Sequence, residues 1–121
     1  MRSESTPRIS AVGTATPRDR FTQAEVLPWS GYTDSHRDIR FWVLHSTGRR
    51  VIERAKSLLG LSDRDLRFSR RILRNFGNMS SATVLFVLDA VLRSKEPRPG
   101  DWGMLAALGP GFAAEGILLR W

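Results

Sequence analysis

The residues of this chain whose types and positions could do chemistry are His45, Asn78 and three serines near them. His45 closes the apolar run "IRFWVLHS" (39–46), and Asn78 follows Gly77 in "LRNFGNMSSATVLF" (73–86). An imidazole can serve as acid, base or hydrogen-bond donor, and a carboxamide offers two N–H donors. Ser46, Ser80 and Ser81 lie close by in sequence, but no Gly-x-Ser-x-Gly elbow accompanies them, so a serine hydrolase is a poor fit. The chain contains no cysteine, which excludes a thiolate nucleophile, a disulfide and Cys metal ligands within it. Two histidines without cysteine or a carboxylate cluster argue against a transition-metal site. A histidine at the end of an apolar strand is more often structural, and an asparagine after glycine is usually a turn residue or helix cap. Taken alone, these residues name no reaction. His36 falls in a turn-rich stretch and is assigned no role.

The elements that must position His45 and Asn78 are legible around them. "IRFWVLHS" reads as a strand ending at His45, after which Ser46, Thr47 and Gly48 start a helix running to Leu59. Val51, Ile52, Ala55, Leu58 and Leu59 share one face of that helix, and Gly60 stops it. "SDRD" (62–65) is a capping box opening a basic helix with Phe68, Ile72 and Phe76 spaced four apart. Gly77 ends it. Ser80 or Ser81 is expected to cap the next helix, which runs to about Arg93. "KEPRPGD" (95–101) is an exposed turn. "WGMLAALG" (102–109) and "FAAEGILLRW" (112–121) read as two strands joined by Gly109-Pro110-Gly111 in a hairpin. Towards the N-terminus, "PRISAVGTATP" (7–17) reads as a short strand. "FTQAEVL" (21–27) looks like the first turns of a helix, with Thr22 and Glu25 as its capping box. That helix breaks off in "PWSGYTDSH" (28–36), which is rich in turn residues. The expected organisation is an N-terminal strand and helix start (1–27), a junction or linker (28–38) and a main domain (39–121).

At 121 residues the chain is one domain or part of one, able to bury roughly two-thirds of its unfolded surface. Its hydrophobic content of 41% and charged content of 26% are those of a globular protein. No unbroken apolar run is longer than Val84–Leu88, which is far too short to cross a bilayer. The N-terminal "MRSESTPR" lacks the apolar core of a signal peptide, so a cytoplasmic location without membrane attachment is expected. The net charge of +7 is concentrated: residues 40–77 hold ten basic against three acidic side chains, and residues 78–121 hold four of each. Such a block marks a nucleic-acid footprint, a surface for a phosphate-bearing substrate such as a coenzyme A ester, or simply the solvated face of basic helices. The last is the plainest. The block shows no aromatic platform and no DNA-binding module, which weighs against nucleic acid as a partner.

The helix after Asn78 is the anomaly. Val84, Leu85, Phe86, Val87, Leu88, Val91 and Leu92 are distributed around its whole circumference, and a helix apolar all round must be covered all round. The remaining elements can supply about one layer against it. Either a homodimer buries the second face, or its natural cover lies outside this sequence.

The run "FWVLHSTGRRVIERAKSLLGL…SRRILRNFGNMSSATVLFVLDAVL…WGMLAALGPGFAAEGILLRW" resembles the C-terminal region of type III polyketide synthases, the chalcone and stilbene synthase family of the thiolase fold. "PRISAVGTATPRDRFTQAEVL" resembles the start of the same proteins. "GNMSSA", the strand-terminal histidine and the Gly-Pro-Gly between the last strands occur in the family's order. The resemblance implies an α/β chain, a partial thiolase-like fold with a mixed sheet and a buried apolar helix. The middle of the family, with its nucleophilic cysteine, is expected to be missing between about Leu27 and Ile39. "HSTGRR" and "ALGPGF" look like the bacterial branch, such as the synthases that build dihydroxyphenylacetyl-CoA from malonyl-CoA.

In such synthases a cysteine takes an acyl group from a coenzyme A thioester. A His and an Asn support decarboxylation of malonyl-CoA, and the resulting enolate attacks the acyl-cysteine. By motif, His45 and Asn78 match that pair. Decarboxylation places negative charge on the thioester oxygen, and two preorganised donors stabilise it. A nearby helix N-terminus adds positive potential. Gly109, Pro110 and Gly111 match the loop lining the cyclisation pocket, although Ala107-Leu108 stands here where the plant enzymes carry a Gly-Phe pair. No cofactor is implied beyond malonyl-CoA and acyl-CoA as substrates of intact relatives. The resemblance therefore implies a truncated acyltransferase, inactive alone for want of its nucleophile. Two further readings stay open: a modulator that associates with a full-length synthase, and a small basic nucleic-acid-binding protein. If His45 and Asn78 serve one oxygen, their donor atoms should lie within roughly 6 Å of each other.

Overall fold

A computed structural model describes residues 8–15, 38–109 and 113–121. Among the described residues, four strands and three helices follow in chain order. They are β1 (Arg8–Ala15), β2 (Ile39–Leu44), α1 (Arg49–Leu59), α2 (Arg67–Phe76), α3 (Ala82–Ser94), β3 (Trp102–Gly109) and β4 (Ala113–Arg120). The strands form one mixed sheet in the order β1-β4-β3-β2. β4 runs antiparallel to β1, with Val12 opposite Ile117, and antiparallel to β3, with Leu105 opposite Ile117. β2 runs parallel to β3, pairing Val43 with Leu105. The three helices are the crossover that a parallel β2–β3 pair requires. The expected α/β class and mixed sheet are therefore present.

β2 is an edge strand buried on both faces. Phe41 and Val43 join Phe68, Ile72, Val87, Val91, Leu119 and Trp121 in one apolar cluster. Trp42 and Leu44 join Ile52, Leu61, Leu66, Met104 and Leu118 in another. α3 thus covers one side of the sheet, and Ile52 of α1 belongs to the other. α2 contributes to both clusters and protects the free edge, because the buried Ser69 Oγ accepts the Leu44 N–H at 3.3 Å. An edge N–H buried without such a partner would cost about 1–3 kcal/mol. Trp121 lies tilted against Phe41, ring centroids 5.4 Å apart, and close over Gly103, where a Cβ would stand 2.5 Å from the indole. Only glycine admits the ring at that point.

The helix boundaries differ from the expected ones by a few residues. β2 ends at Leu44, although the His45 N–H still bonds Ala106 O at 2.9 Å. Gly48 is extended (φ 177°), so α1 begins at Arg49 and not among Ser46–Gly48. Gly60 stops α1 in the left-handed conformation, φ 62°. The capping box at 62–65 forms reciprocally, Asp65 Oδ2 accepting the Ser62 N–H at 2.7 Å and Ser62 Oγ accepting the Asp65 N–H at 3.3 Å. It closes a turn that precedes α2, whose first helical residue is Arg67. Leu58, expected on the inner face of α1, is instead 57% exposed, since only Ile52 of that helix reaches full burial.

Ser80 and Ser81 do not cap α3 through their side chains. Ser81 occupies the capping position without a side-chain bond, and Ser80 takes a left-handed φ of 57°. Thr83 does the local work from inside the helix, its Oγ1 accepting the Met79 N–H at 2.9 Å. The hairpin of β3 and β4 is as expected, with Gly109 opposite Ala113. The expected helix start at 21–27, with Thr22 and Glu25, and most of the expected junction at 28–38 lie outside the described residues.

Candidate functional site

His45 follows the last residue of β2 and is buried, only 8% exposed, with Ser46 beside it at 1%. Successive strand residues point to opposite faces. The ladder bond to Ala106 carries that alternation one residue past Leu44, so His45 falls on the side of Phe41 and Val43, the side covered by α3. Neither His45 Nδ1 nor Nε2 has a hydrogen-bond partner among the described residues, and Ser46 Oγ has none either. Buried polar groups are nearly always satisfied, and an orphan calls for a reason.

Asn78 lies on the loop between α2 and α3, four residues before Ala82, and is exposed. Gly77 ends α2 with φ 70° and ψ −158°, a backbone region essentially restricted to glycine. The Asn78 Oδ1 accepts the Ser80 N–H at 2.8 Å. That is the turn role open to any asparagine, and it also fixes which end of the amide is which. With Oδ1 held by the backbone, Nδ2 is the end left to donate. The next residue, Met79, packs against the cluster that contains Val43 and Val87. The loop bearing Asn78 and the strand end bearing His45 are therefore tied to one apolar cluster.

Gly109 is the last residue of β3 and is exposed. Pro110 and Gly111, the other two members of the expected pocket loop, lie outside the described residues, as does His36. Sequence reasoning did not anticipate Thr83 and Ser69, two fully buried hydroxyls that hold the loop before α3 and the edge of β2. Their signal is faint, since a Ser or Thr within an amphipathic helix reads as ordinary.

The family described as chalcone and stilbene synthases, C-terminal domain, matches residues 24–121. The chain belongs to that family, the type III polyketide synthases, through its C-terminal domain. It is 48% identical over 84 residues to 1,3,6,8-tetrahydroxynaphthalene synthase of Streptomyces peucetius subsp. caesius, a match covering 69% of this chain and 22% of that protein. It is 40% identical over 84 residues to 3,5-dihydroxyphenylacetyl-CoA synthase of Amycolatopsis balhimycina, covering 69% of this chain and 23% of the relative. The chain thus spans under a quarter of the length of these bacterial relatives.

Among solved structures, PKS-I from the brown alga Ectocarpus siliculosus superposes with a TM-score of 0.68 at 39% identity, over 78% of this chain and 26% of that one. Tetrahydroxynaphthalene synthase from Streptomyces coelicolor A3(2) superposes with a TM-score of 0.79 over 95% of this chain and 41% of that one. At 24% identity this second likeness concerns the fold, which is the C-terminal part of the thiolase-like architecture. Among the described residues no helix is long and apolar enough to cross a membrane.

Proposed function

We propose that this chain carries the decarboxylating part of a type III polyketide synthase site, with His45 and Asn78 as its two donors and with no nucleophile of its own. The observation that carries the reading is the buried His45 with both ring nitrogens unpartnered among the described residues, at the end of a strand whose Val43 shares a cluster with Met79, the neighbour of Asn78. In the proposed step the bond between the malonyl C2 and its carboxylate breaks and carbon dioxide leaves. The electron pair enters the thioester enolate, whose oxygen takes up negative charge. An imidazole N–H and the Asn78 Nδ2–H directed at that oxygen lower the barrier, because both are in place before the charge forms. Condensation would then need an acyl-thioester on a cysteine, and this chain has none. Malonyl-CoA and acyl-CoA remain the substrate class, and Gly109, Pro110 and Gly111 the pocket loop. Residues 1–27, 28–38 and 39–121 remain the proposed division of the chain.

The test is incubation of the purified chain with malonyl-CoA and an acyl-CoA starter. The expected result is no acyl adduct by intact mass and no condensed product. A covalent acyl adduct followed by product release would overturn it. The donor assignment has its own check: the distance from the nearer His45 ring nitrogen to Asn78 Nδ2 in an experimental structure. Roughly 6 Å or less supports a shared oxygen, and side chains on opposite faces of the sheet would remove it.

A second reading is favoured by one observation, the bare side of α3, where Leu85 is 62% and Phe86 43% exposed. It holds that the chain works by associating with a full-length synthase or with a second copy of itself. Sedimentation of the chain with and without such a synthase separates the two, since only a heteromeric complex shifts with the added protein.

A further inference from the structure

Neither proposed donor is held by its own donating atoms. The His45 ring has no hydrogen-bond partner among the described residues, and the Asn78 side chain is tied to Ser80, two residues along its own loop. Where each side chain stands is therefore decided by the backbone that carries it. In both cases a neighbouring backbone N–H is caught by a buried hydroxyl from a helix. Ser69 of α2 and Thr83 of α3 are each 0% exposed. Ser69 Oγ accepts the N–H of Leu44, the residue before His45, at 3.3 Å. Thr83 Oγ1 accepts the N–H of Met79, the residue after Asn78, at 2.9 Å.

The two bonds restrain different kinds of backbone. Along a strand, successive N–H groups point to opposite edges. The Leu44 N–H goes out to Ser69, and the His45 N–H goes in to Ala106 O at 2.9 Å. The end of β2 is thus gripped from both edges where the imidazole leaves the chain. The Asn78 loop is held by a run of short-range bonds. Gly77 N–H bonds Leu73 O at 2.9 Å, Ser80 N–H bonds Asn78 Oδ1, and Thr83 N–H bonds Ser80 O at 3.1 Å. Within that run, the Met79 bond is the one that reaches a side chain of α3. A hydroxyl inside a helix commonly faces solvent or bonds back within its own helix. Here both hydroxyls reach backbone outside the helix that bears them.

We propose that Ser69 and Thr83 are positioning residues, Ser69 for His45 and Thr83 for Asn78, and that together they set the separation at which the two donors meet a common oxygen. The assignment rests on the His45–Asn78 reading. Neither hydroxyl touches the substrate; each acts through the backbone beside a donor. Small displacements matter at such a site, since a misplacement of about 1 Å can cost about a hundredfold in rate.

Nitrogen-15 NMR of the full chain reads the two donors separately, through the His45 ring and the Asn78 Nδ2 amide. Thr83→Val keeps the shape and removes the acceptor. It should move the Asn78 Nδ2 signals and speed exchange of the Met79 amide about tenfold or more, with the His45 ring signals unmoved. Thr83→Ser, which keeps the hydroxyl, should restore both. Ser69→Ala should do the opposite, moving the His45 ring signals and speeding exchange at Leu44 while Asn78 stays in place. The parent alone supplies a check that needs no variant to fold: its Leu44 and Met79 amides should exchange slowly, and exchange at the rate of an open loop would overturn the proposal. So would a loss of stability with both donors unmoved, or both donors moved by each variant, because the hydroxyls would then serve packing alone. Addition of malonyl-CoA to the parent tests the underlying reading. Shifts at both donors support it. Shifts at neither would overturn that reading, and with it the catalytic meaning of the two hydroxyls, even where the variants behave as expected.

Discussion

α2 and α3 are consecutive helices joined by five residues, and they are composed for different surroundings. α2 buries Phe68, Ser69 and Ile72 and turns arginines to water. Its sequence states which side is inside. α3 buries Thr83, Val87, Ala90 and Val91, yet its other side presents Leu85, Phe86 and Leu92. Even Phe76, expected within the inner stripe of α2, is 55% exposed and leans on Phe86 with ring centroids 5.5 Å apart. That pair extends the bare side of α3 onto the end of α2. The contrast teaches that α2 is composed for one buried side, whereas α3 carries apolar residues on both its buried and its exposed side.

The largest effect should appear in solution behaviour. A contiguous apolar patch drives association, so the chain should self-associate, aggregate or populate a loosely packed state. Replacing Leu85 and Phe86 by glutamate should shift it towards monomer in sedimentation velocity. A parent chain that is already monomeric when dilute, with one sharp cooperative melt, would break the contrast between the helices.

Stability should separate the two sides of the layer next. Phe68→Ala removes a ring that is 4% exposed and should cost about 3–5 kcal/mol by denaturant unfolding. Leu85→Ala should change stability by only about 0.5 kcal/mol in either direction. Similar losses at both positions would mean that the outer side of α3 is covered within this chain.

The same contrast marks what could be read before the structure. The β2 run, the hairpin after Trp102 and all three helices followed from periodicity and from the glycines that end α1 and α2. The apolar circumference of α3 was legible too, and Leu85, Phe86 and Leu92 of its outer side are exposed. Less legible was everything that depends on tertiary neighbours. Nothing in "RFSRRILRNF" says that Ser69 will guard the edge of β2, because that edge exists only once the sheet is ordered. Nor does "GNMSSA" say that Thr83 will take the Met79 N–H while both serines stay out of the cap. His45 and Asn78 were visible only as a strand end and a turn. Their pairing came from resemblance, because residue type and spacing alone describe a common structural histidine and a common turn.

The junction between α2 and α3 should respond at an intermediate level. Gly77, at φ 70° and ψ −158°, sits where other residues pay about 1–3 kcal/mol of backbone strain. Gly60, at φ 62° and ψ 32°, sits in the milder left-handed region, where the cost is about 1 kcal/mol. Nothing stands within 4 Å of a Cβ built at either position, so the comparison isolates backbone conformation. Gly77→Ala should therefore lower the unfolding midpoint more than Gly60→Ala. It should also disturb the amide signals of Asn78 and Ser80, which Gly60→Ala leaves alone.

The smallest effect concerns pH and belongs to the α1–α2 side. Hydrogen bonds from Lys56 and then Arg70 hold the Asp63 carboxyl below its ordinary value of 3.8. A carboxyl whose pKa is lower folded than unfolded binds fewer protons in the native state. Its contribution is therefore present above the unfolded value and is lost as pH falls through the folded one. Asp63 is open to solvent, so screening keeps the effect small and salt-sensitive. The Arg70 guanidinium, raised by Asp63 and Glu53, stays charged throughout this range and adds no slope of its own. Melting curves from neutral pH down through the carboxylate range should show a shallow loss of stability below about pH 4. Asp63→Asn should flatten that part of the profile, and added salt should do the same. A profile unchanged by both would mean that the bridge between Lys56 and Arg70 contributes nothing to holding α1 against α2. The contrast with α3 would then rest on apolar packing alone.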